Sequence, residues 1–107
     1  MIFHLKRKGL SISRMTENLL YAKSFGQKCL LHFKDQEILE YNYRLSIFEH
    51  RTSGEGLFRI HRYYLLKLVE VIGYANHQAK LINNELIPLN DYGYELVRNF
   101  IDTKIHP

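Results

Sequence analysis

Apolar and polar positions alternate over short stretches along most of the chain, the period of half-buried strands rather than of helices. Leu10 and Ile12 alternate with Ser11 and Ser13, and Leu19-Leu20-Tyr21-Ala22 predicts a second strand, followed by a turn at Ser24-Phe25-Gly26-Gln27. The apolar run 29–33 and the run 37–41 flank Lys34-Asp35-Gln36, which predicts a β-hairpin. The period changes over 43–50, where Leu45, Ile47 and Phe48 share one helical face, and 52–56 is the clearest loop. Residues 57–60 read as a strand. The apolar stretch from Leu65 to Tyr74 is rich in β-branched residues and predicts a central strand. Two shorter strands follow, 79–82 and 85–88, with Asn83-Asn84 turning between them and Pro88 suited to an edge or a strand end. Asn90 predicts a helix cap with Asp91 in the first turn. Tyr92, Leu96 and Phe100 then recur at i, i+4 and i+8 as one face of a final amphipathic helix. The pattern is mostly β, with one middle and one C-terminal helix.

With 107 residues, 46% of them hydrophobic, the chain is sized for one domain with a real core. The pattern divides it into a basic N-terminal arm at 1–9, a folded part at 10–102 and a tail at 103–107. No apolar run approaches the ~20 residues that cross a bilayer, so no membrane partner is expected. Met1-Ile2-Phe3-His4 runs at once into Lys6-Arg7-Lys8, the reverse of a secretory leader, and a cytoplasmic location is expected. The lone Cys29 excludes a disulfide framework and suits a reducing compartment. The net charge of +4 is unevenly spread. Residues 1–34 carry seven basic side chains against one acid, Glu17, whereas 35–107 carry eight basic and ten acidic ones. A basic end of this kind suits a polyanionic partner, although a solvated tail has the same composition.

Motifs of catalysis are missing. The chain has no nucleophile elbow, no glycine-rich phosphate loop and no paired-cysteine zinc motif. His32, His50, His61 and His77 share no metal-ligand spacing, and Cys29 between apolar neighbours reads as a buried, inert thiol. No enzyme activity, cofactor, metal or small-molecule substrate is expected.

One segment carries more information. Phe58-Arg59-Ile60-His61-Arg62-Tyr63-Tyr64-Leu65-Leu66-Lys67 leads through a strand and a hairpin to Leu86-Ile87-Pro88-Leu89-Asn90-Asp91-Tyr92. This resembles the LytTR family of bacterial DNA-binding domains, in which a Phe-x-Arg-x-His-Arg strand precedes Ser-Tyr-Leu-Val-Asn. In that family a Pro-Val-Ser-Arg-like turn opens the final helix, and Leu19-Leu20-Tyr21-Ala22 is similar to an upstream Ile-x-Tyr strand. The resemblance runs over about 10–102 in the same element order. It implies stacked small antiparallel sheets with short helices, and sequence-specific binding of repeated double-stranded DNA sites through loops. It implies two copies on such DNA, and a role in transcription regulation, commonly as the output of a two-component response regulator.

Carried over position by position, the resemblance assigns DNA contact to Lys23 and Lys28 around the loop after the second strand, and to Arg62 after the motif histidine. It further assigns Asn90 in the turn before the last helix, and Lys67, which stands where the family has asparagine. Tyr63 replaces a serine, and Asp91 replaces an arginine, so one contact is missing or reversed. Simpler roles stand beside these. Lys28 flanks a hairpin, Arg62 has Glu70 as a candidate ion-pair partner, and His61 suits packing beneath the loop. Asp91 suits a helix start, and Lys6-Arg7-Lys8 is either a solvated tail or a phosphate-tracking arm. Asp91 and the acidic balance of 35–107 motivate a second reading, a LytTR-like protein-interaction module. Single-strand binding on exposed rings ranks last, because a small sheet protein needs most of its eight tyrosines and six phenylalanines in its core. Nothing in the pattern decides between a free-standing regulator and the output end of a longer protein.

Overall fold

The computed structural model describes residues 2–7 and 10–105, and side chains throughout these except at 6, 7, 10–13 and 105. Among the described residues, ten strands and two α-helices alternate with tight turns. A hairpin of β1 (Ile2–Arg7) and β2 (Leu10–Met15) opens the chain. The strands β3 (Leu19–Phe25), β4 (Lys28–Phe33), β5 (Ile38–Tyr41), β6 (Leu57–His61) and β7 (Tyr64–Lys67) build a five-stranded antiparallel sheet. Its order is β5-β4-β3-β7-β6, with α1 (Leu45–Arg51) inserted between β5 and β6. A three-stranded sheet of order β10-β9-β8 follows, from β8 (Val71–Ala75), β9 (Gln78–Leu81) and β10 (Leu86–Pro88), and α2 (Asp91–Ile105) ends the described chain.

The central sheet has a core on each side. Phe3, Leu5, Leu31, Phe33, Leu45 and Phe48 pack on one face beneath the β1–β2 hairpin and α1. Leu66, Val71, Leu81, Ile87, Val97 and Ile101 pack on the other, against the small sheet and α2. Strand β3 serves both. Leu19 and Ala22 belong to the first core, Leu20 and Tyr21 to the second, and a bulge between Leu19 and Tyr21 turns two consecutive residues into the same core. Tyr21 also ties the sheets together. Its hydroxyl donates to Glu85 Oε2 at 2.5 Å, and its ring stacks on His32 at 4.2 Å.

Several expectations change in the folded chain. Residues 2–7 are not a loose arm but a core strand, because Phe3 and Leu5 are buried and the Phe3 ring meets Phe33 and Phe48. The side chains of Lys6-Arg7-Lys8 lie outside the described residues. The apolar stretch 65–74 is not one central strand. A single 3-10 turn at Leu68–Glu70 splits it, so that β7 ends in the large sheet and β8 becomes an edge of the small one. Strand β3 continues through Ser24 and Phe25, leaving Gly26-Gln27 as the turn. In α1, Leu45 and Phe48 are buried but Ile47 faces outward. In α2 the buried face is Gly93, Val97 and Ile101, one residue on from the predicted Tyr92, Leu96 and Phe100. Gly93 sets that rotation. A β-carbon there would fall on the Ile60 carbonyl oxygen and 2.8 Å from Ile60 Cβ, so only glycine lets the helix sit down on β6 at this depth.

Gly93→Ala is therefore expected to cost about 1–3 kcal/mol by overpacking, despite the better helix propensity of alanine, as read by urea denaturation. A pH dependence follows from His32. Its Nε2 is buried with no hydrogen-bond partner, and burial holds the imidazole below its ordinary range, with Lys23 adding to the shift and Glu85 opposing it. The unfolded chain then binds more protons than the folded one, so stability falls as pH drops below about 6.5, the unfolded value. The change His32→Phe should flatten that slope between roughly pH 5 and 7, measured by denaturation at each pH. An unaltered slope would remove His32 from the account.

Candidate nucleic-acid interface

Polar side chains with little to do in either core collect where three turns meet. The β3–β4 turn reverses at Gly26, whose backbone φ of +61° lies in the left-handed region that glycine adopts without strain. The β6–β7 turn, at Arg62-Tyr63, lies beside it, because Ser24 N–H donates to the Tyr63 carbonyl at 2.8 Å and Lys23 pairs with Tyr64 across the strands. The start of α2 is fastened to the same strand pair by Asn90 N–H donating to the Ile60 carbonyl at 2.9 Å. The β8–β9 turn joins them through Leu89 N–H and the His77 carbonyl, 2.9 Å apart. Main-chain hydrogen bonds thus set the spacing of these turns, which leaves their side chains to face outward.

Lys23 is exposed, with its ammonium 5.7 Å from the centre of the Tyr64 ring. Lys28, also exposed, makes a loose surface pair with Glu40 at 3.4 Å. Such a pair is worth little and gives way readily to a phosphate. Arg62 stacks its guanidinium 4.7 Å over the Tyr63 ring. Glu70, once a candidate partner for Arg62, pairs instead with Lys34 at 2.8 Å. Asn90 caps α2, its Oδ1 accepting from Gly93 N–H at 2.7 Å, as the sequence predicted. Asp91 is fully exposed beside His77, whose Nε2 lies 3.6 Å away and whose ring stacks on Tyr94. His61 has the packing role its position suggested: it is half-buried, and its Nδ1 accepts from Tyr63 N–H.

Lys67 is placed elsewhere. It sits at the far end of β7 from the Tyr64 turn, on the order of 10 Å along the strand. Its side chain is buried, and its ammonium donates inward to the Thr16 carbonyl. Desolvation pulls its pKa below the ordinary lysine value, opposed by the charges of Glu17, Glu70 and Glu55. Lys67 is therefore a strut between β7 and the turn after β2, away from Lys23, Arg62 and Asn90. Cys29 is fully buried, and desolvation pushes its thiol up to about 12, which suits an inert core residue.

Two arginines at this edge were not singled out from sequence. Arg44 precedes α1 and donates from Nε to Gln27 at 2.6 Å, which adds a cation beside the β3–β4 turn. Arg59 acts from behind. Its Nε donates to the His61 carbonyl at 3.1 Å, its Nη2 to the Arg62 carbonyl at 2.6 Å and its Nη1 to Glu49 on α1 at 2.8 Å. One guanidinium thus holds the turn that presents Arg62. The signal was in the Phe-Arg-Ile-His-Arg motif, whose first arginine points along the strand toward its own turn. Arg44 had no such signal, since only the fold brings it to Gln27.

The family model of the LytTr DNA-binding domain matches residues 11–102. Among solved structures, the LytTr DNA-binding domain of a putative methyl-accepting/DNA response regulator from Bacillus cereus superposes with a TM-score of 0.75. The two share 15% identity, and the match covers 94% of this chain and 95% of that one, a likeness of fold. No curated protein matches the chain.

Arg59→Ala would leave two turn carbonyls without their donor. Because the guanidinium is partly exposed, water recovers much of the loss, and a cost of about 1 kcal/mol is expected. The sharper readout is local, with amide exchange faster at Arg62 and Tyr63 than in β3. Uniform protection across both strands would show that Arg59 does not hold the turn.

Proposed function

The chain belongs to the LytTR family of DNA-binding domains, and we propose that it reads double-stranded DNA sequence-specifically as the output of a transcriptional regulator. The observation that carries this reading is the edge of turns, where Lys23, Lys28 and Arg62 stand outward on turns joined by main-chain bonds and Arg44 is fastened beside them through its side-chain bond to Gln27. Lysines engage phosphates as point charges, whereas a stacked guanidinium is presented flat, the geometry that meets O6 and N7 of guanine together. The Arg59 clamp supports this assignment, because a base reader needs its side chain held in one place. The reading requires no catalytic step and no cofactor.

The long axis of the fold is 47 Å, more than the ~34 Å repeat of duplex DNA, so one domain is long enough to address successive grooves. Repeated sites and two copies on DNA belong to the same proposal. So do a cytoplasmic location and a response-regulator setting, the latter in line with the description of the Bacillus cereus protein. No helix among the described residues is long and apolar enough to cross a membrane. Exposed Asp91 favours a second reading, a domain of this fold that docks an acidic-tolerant protein surface instead of DNA.

The double change Lys28→Ala with Arg62→Ala separates the two. DNA affinity by fluorescence anisotropy should fall about 10- to 100-fold, and the slope of log affinity against log salt should drop by about one for the lost phosphate contact. Undiminished affinity in the double variant would move the interface off this edge. Absence of any DNA binding at low salt would favour the protein-docking reading.

A further inference from the structure

The small sheet buries one face and leaves the other to solvent. Ala79, Leu81 and Ile87 belong to the second core. Lys80 and Leu86 alternate with them and are exposed, and the register sets Gly73, Lys80 and Leu86 in one row across the outer face. The register shift between Val71 and Gly73 turns Ile72 to that side too, so that two residues of β8 oppose the single Lys80. Ile82 follows β9, and its N–H donates at 3.0 Å to the carbonyl of Glu70, in the turn that carries Val69. Val69, Ile72, Ile82 and Leu86 are 55–61% exposed. Together they leave on the order of 400 Å² of aliphatic surface in water, a patch of the size that on a monomer is often functional.

Lys80 stands within this patch and pairs with no carboxylate among the described residues. A lysine commonly guards an open sheet edge, but β9 is the middle strand and is already paired on both sides. Gly73 opposite it adds no side chain, and a β-carbon there would meet nothing within 4 Å, so the surface beside Lys80 is flat and open.

We infer that this face docks an acidic amphipathic helix of another protein, its aliphatic side chains on Ile72, Ile82 and Leu86 and a carboxylate on Lys80. Charge selects that occupant. A second copy, related by a two-fold axis through the patch, would set Lys80 against its own counterpart. The patch is also about half of the ~800 Å² that each partner buries in a stable interface, which suits a single helix better than a dimer. An anionic membrane is held by clusters of basic residues, and Lys80 is the one cation in this set. A helix with a carboxylate among its leucines meets both the apolar surface and the unpaired ammonium. The face is separate from the basic edge of turns. That edge includes the β8–β9 turn, whereas Val69, Ile82 and Leu86 lie at the opposite end of these strands, roughly 13 Å away along β8. The two surfaces are occupied independently, so this face serves its partner whether or not the edge holds DNA.

The probe is a synthetic helix of about 18 residues, long enough to fold alone, with leucines at i, i+4 and i+7 and a glutamate within that stripe. A second peptide carries lysine in place of the glutamate, and each is titrated into the isotope-labelled chain. Amide resonances of Ile72, Lys80 and Leu86 should shift with the glutamate peptide, while those of Lys23 and Arg62 stay fixed. Lys80→Glu should weaken that peptide about fivefold and favour the lysine peptide in its place. Leu86→Ser should weaken both. Both side chains are exposed, so unchanged thermal melting checks that the variants fold. Equal binding of the two peptides by the unmodified chain would overturn the acidic assignment. No shifts, or shifts confined to the Lys23 and Arg62 turns, would overturn the docking face itself. A dimer in sedimentation that Leu86→Ser dissolves would overturn it in favour of a second copy. Binding to phosphatidylglycerol vesicles that the same variant abolishes would overturn it in favour of a membrane.

Discussion

Strand β3 has to be buried on both faces, and much of the remaining architecture follows from that requirement. It is the middle strand of the five-stranded sheet, with β4 on one side and β7 on the other. A regular strand would send alternate residues to each face. The bulge after Leu19 breaks the alternation, so that the consecutive Leu20 and Tyr21 both enter the second core while Leu19 and Ala22 enter the first. The β1–β2 hairpin and α1 are needed to cover one face, and the small sheet with α2 to cover the other. Without both covers, four buried positions on one strand, three of them large, would lie partly in water.

That constraint also positions the candidate interface. As β3 leaves the core its burial ends, and Lys23 is the first side chain to emerge. The same strand then carries Ser24, whose amide holds the β6–β7 turn, so that the rigid centre of the fold sets the place of Arg62 directly. On the second core, α2 rests on β6 at Gly93, and its first turn comes out beside the same strand pair. The candidate interface is built of turns, but main-chain bonds from the neighbouring strands fix them. This is the rigidity that base readout needs, since a misplaced guanidinium loses the second of its two hydrogen bonds.

Most of the fold was legible in the pattern of residues. The hairpin at 29–41, the loop at 52–56, the edge position of Pro88 and the Asn90 cap all arise from local rules of alternation, turn chemistry and capping, and all are present. The errors share a cause. Phe3 and Leu5 looked like part of a basic arm because adjacent lysines and arginine dominate its composition, whereas pairing with β2 turns two apolar side chains inward. The stretch 65–74 looked continuous because a 3-10 turn made of Leu-Val-Glu leaves no glycine or proline to mark it. The buried face of α2 was read from large residues, while the position that decides it is the small one, Gly93.

The sequence by itself determined the mostly β class, the order of elements and the presence of a motif with a guanidinium after its histidine, because these depend on period, turn residues and short spacings. Tertiary structure alone decided which charged side chains stand together. Lys67 and Arg62 are five residues apart and end on different sides of the fold, one a buried strut to Thr16 and the other an exposed reader candidate. Arg44 and Gln27 are 17 residues apart and touch. Charge carries no periodic signature of its own. Where a lysine or arginine ends up is settled by the burial of its apolar neighbours, and only the packed sheets say which way those neighbours turn.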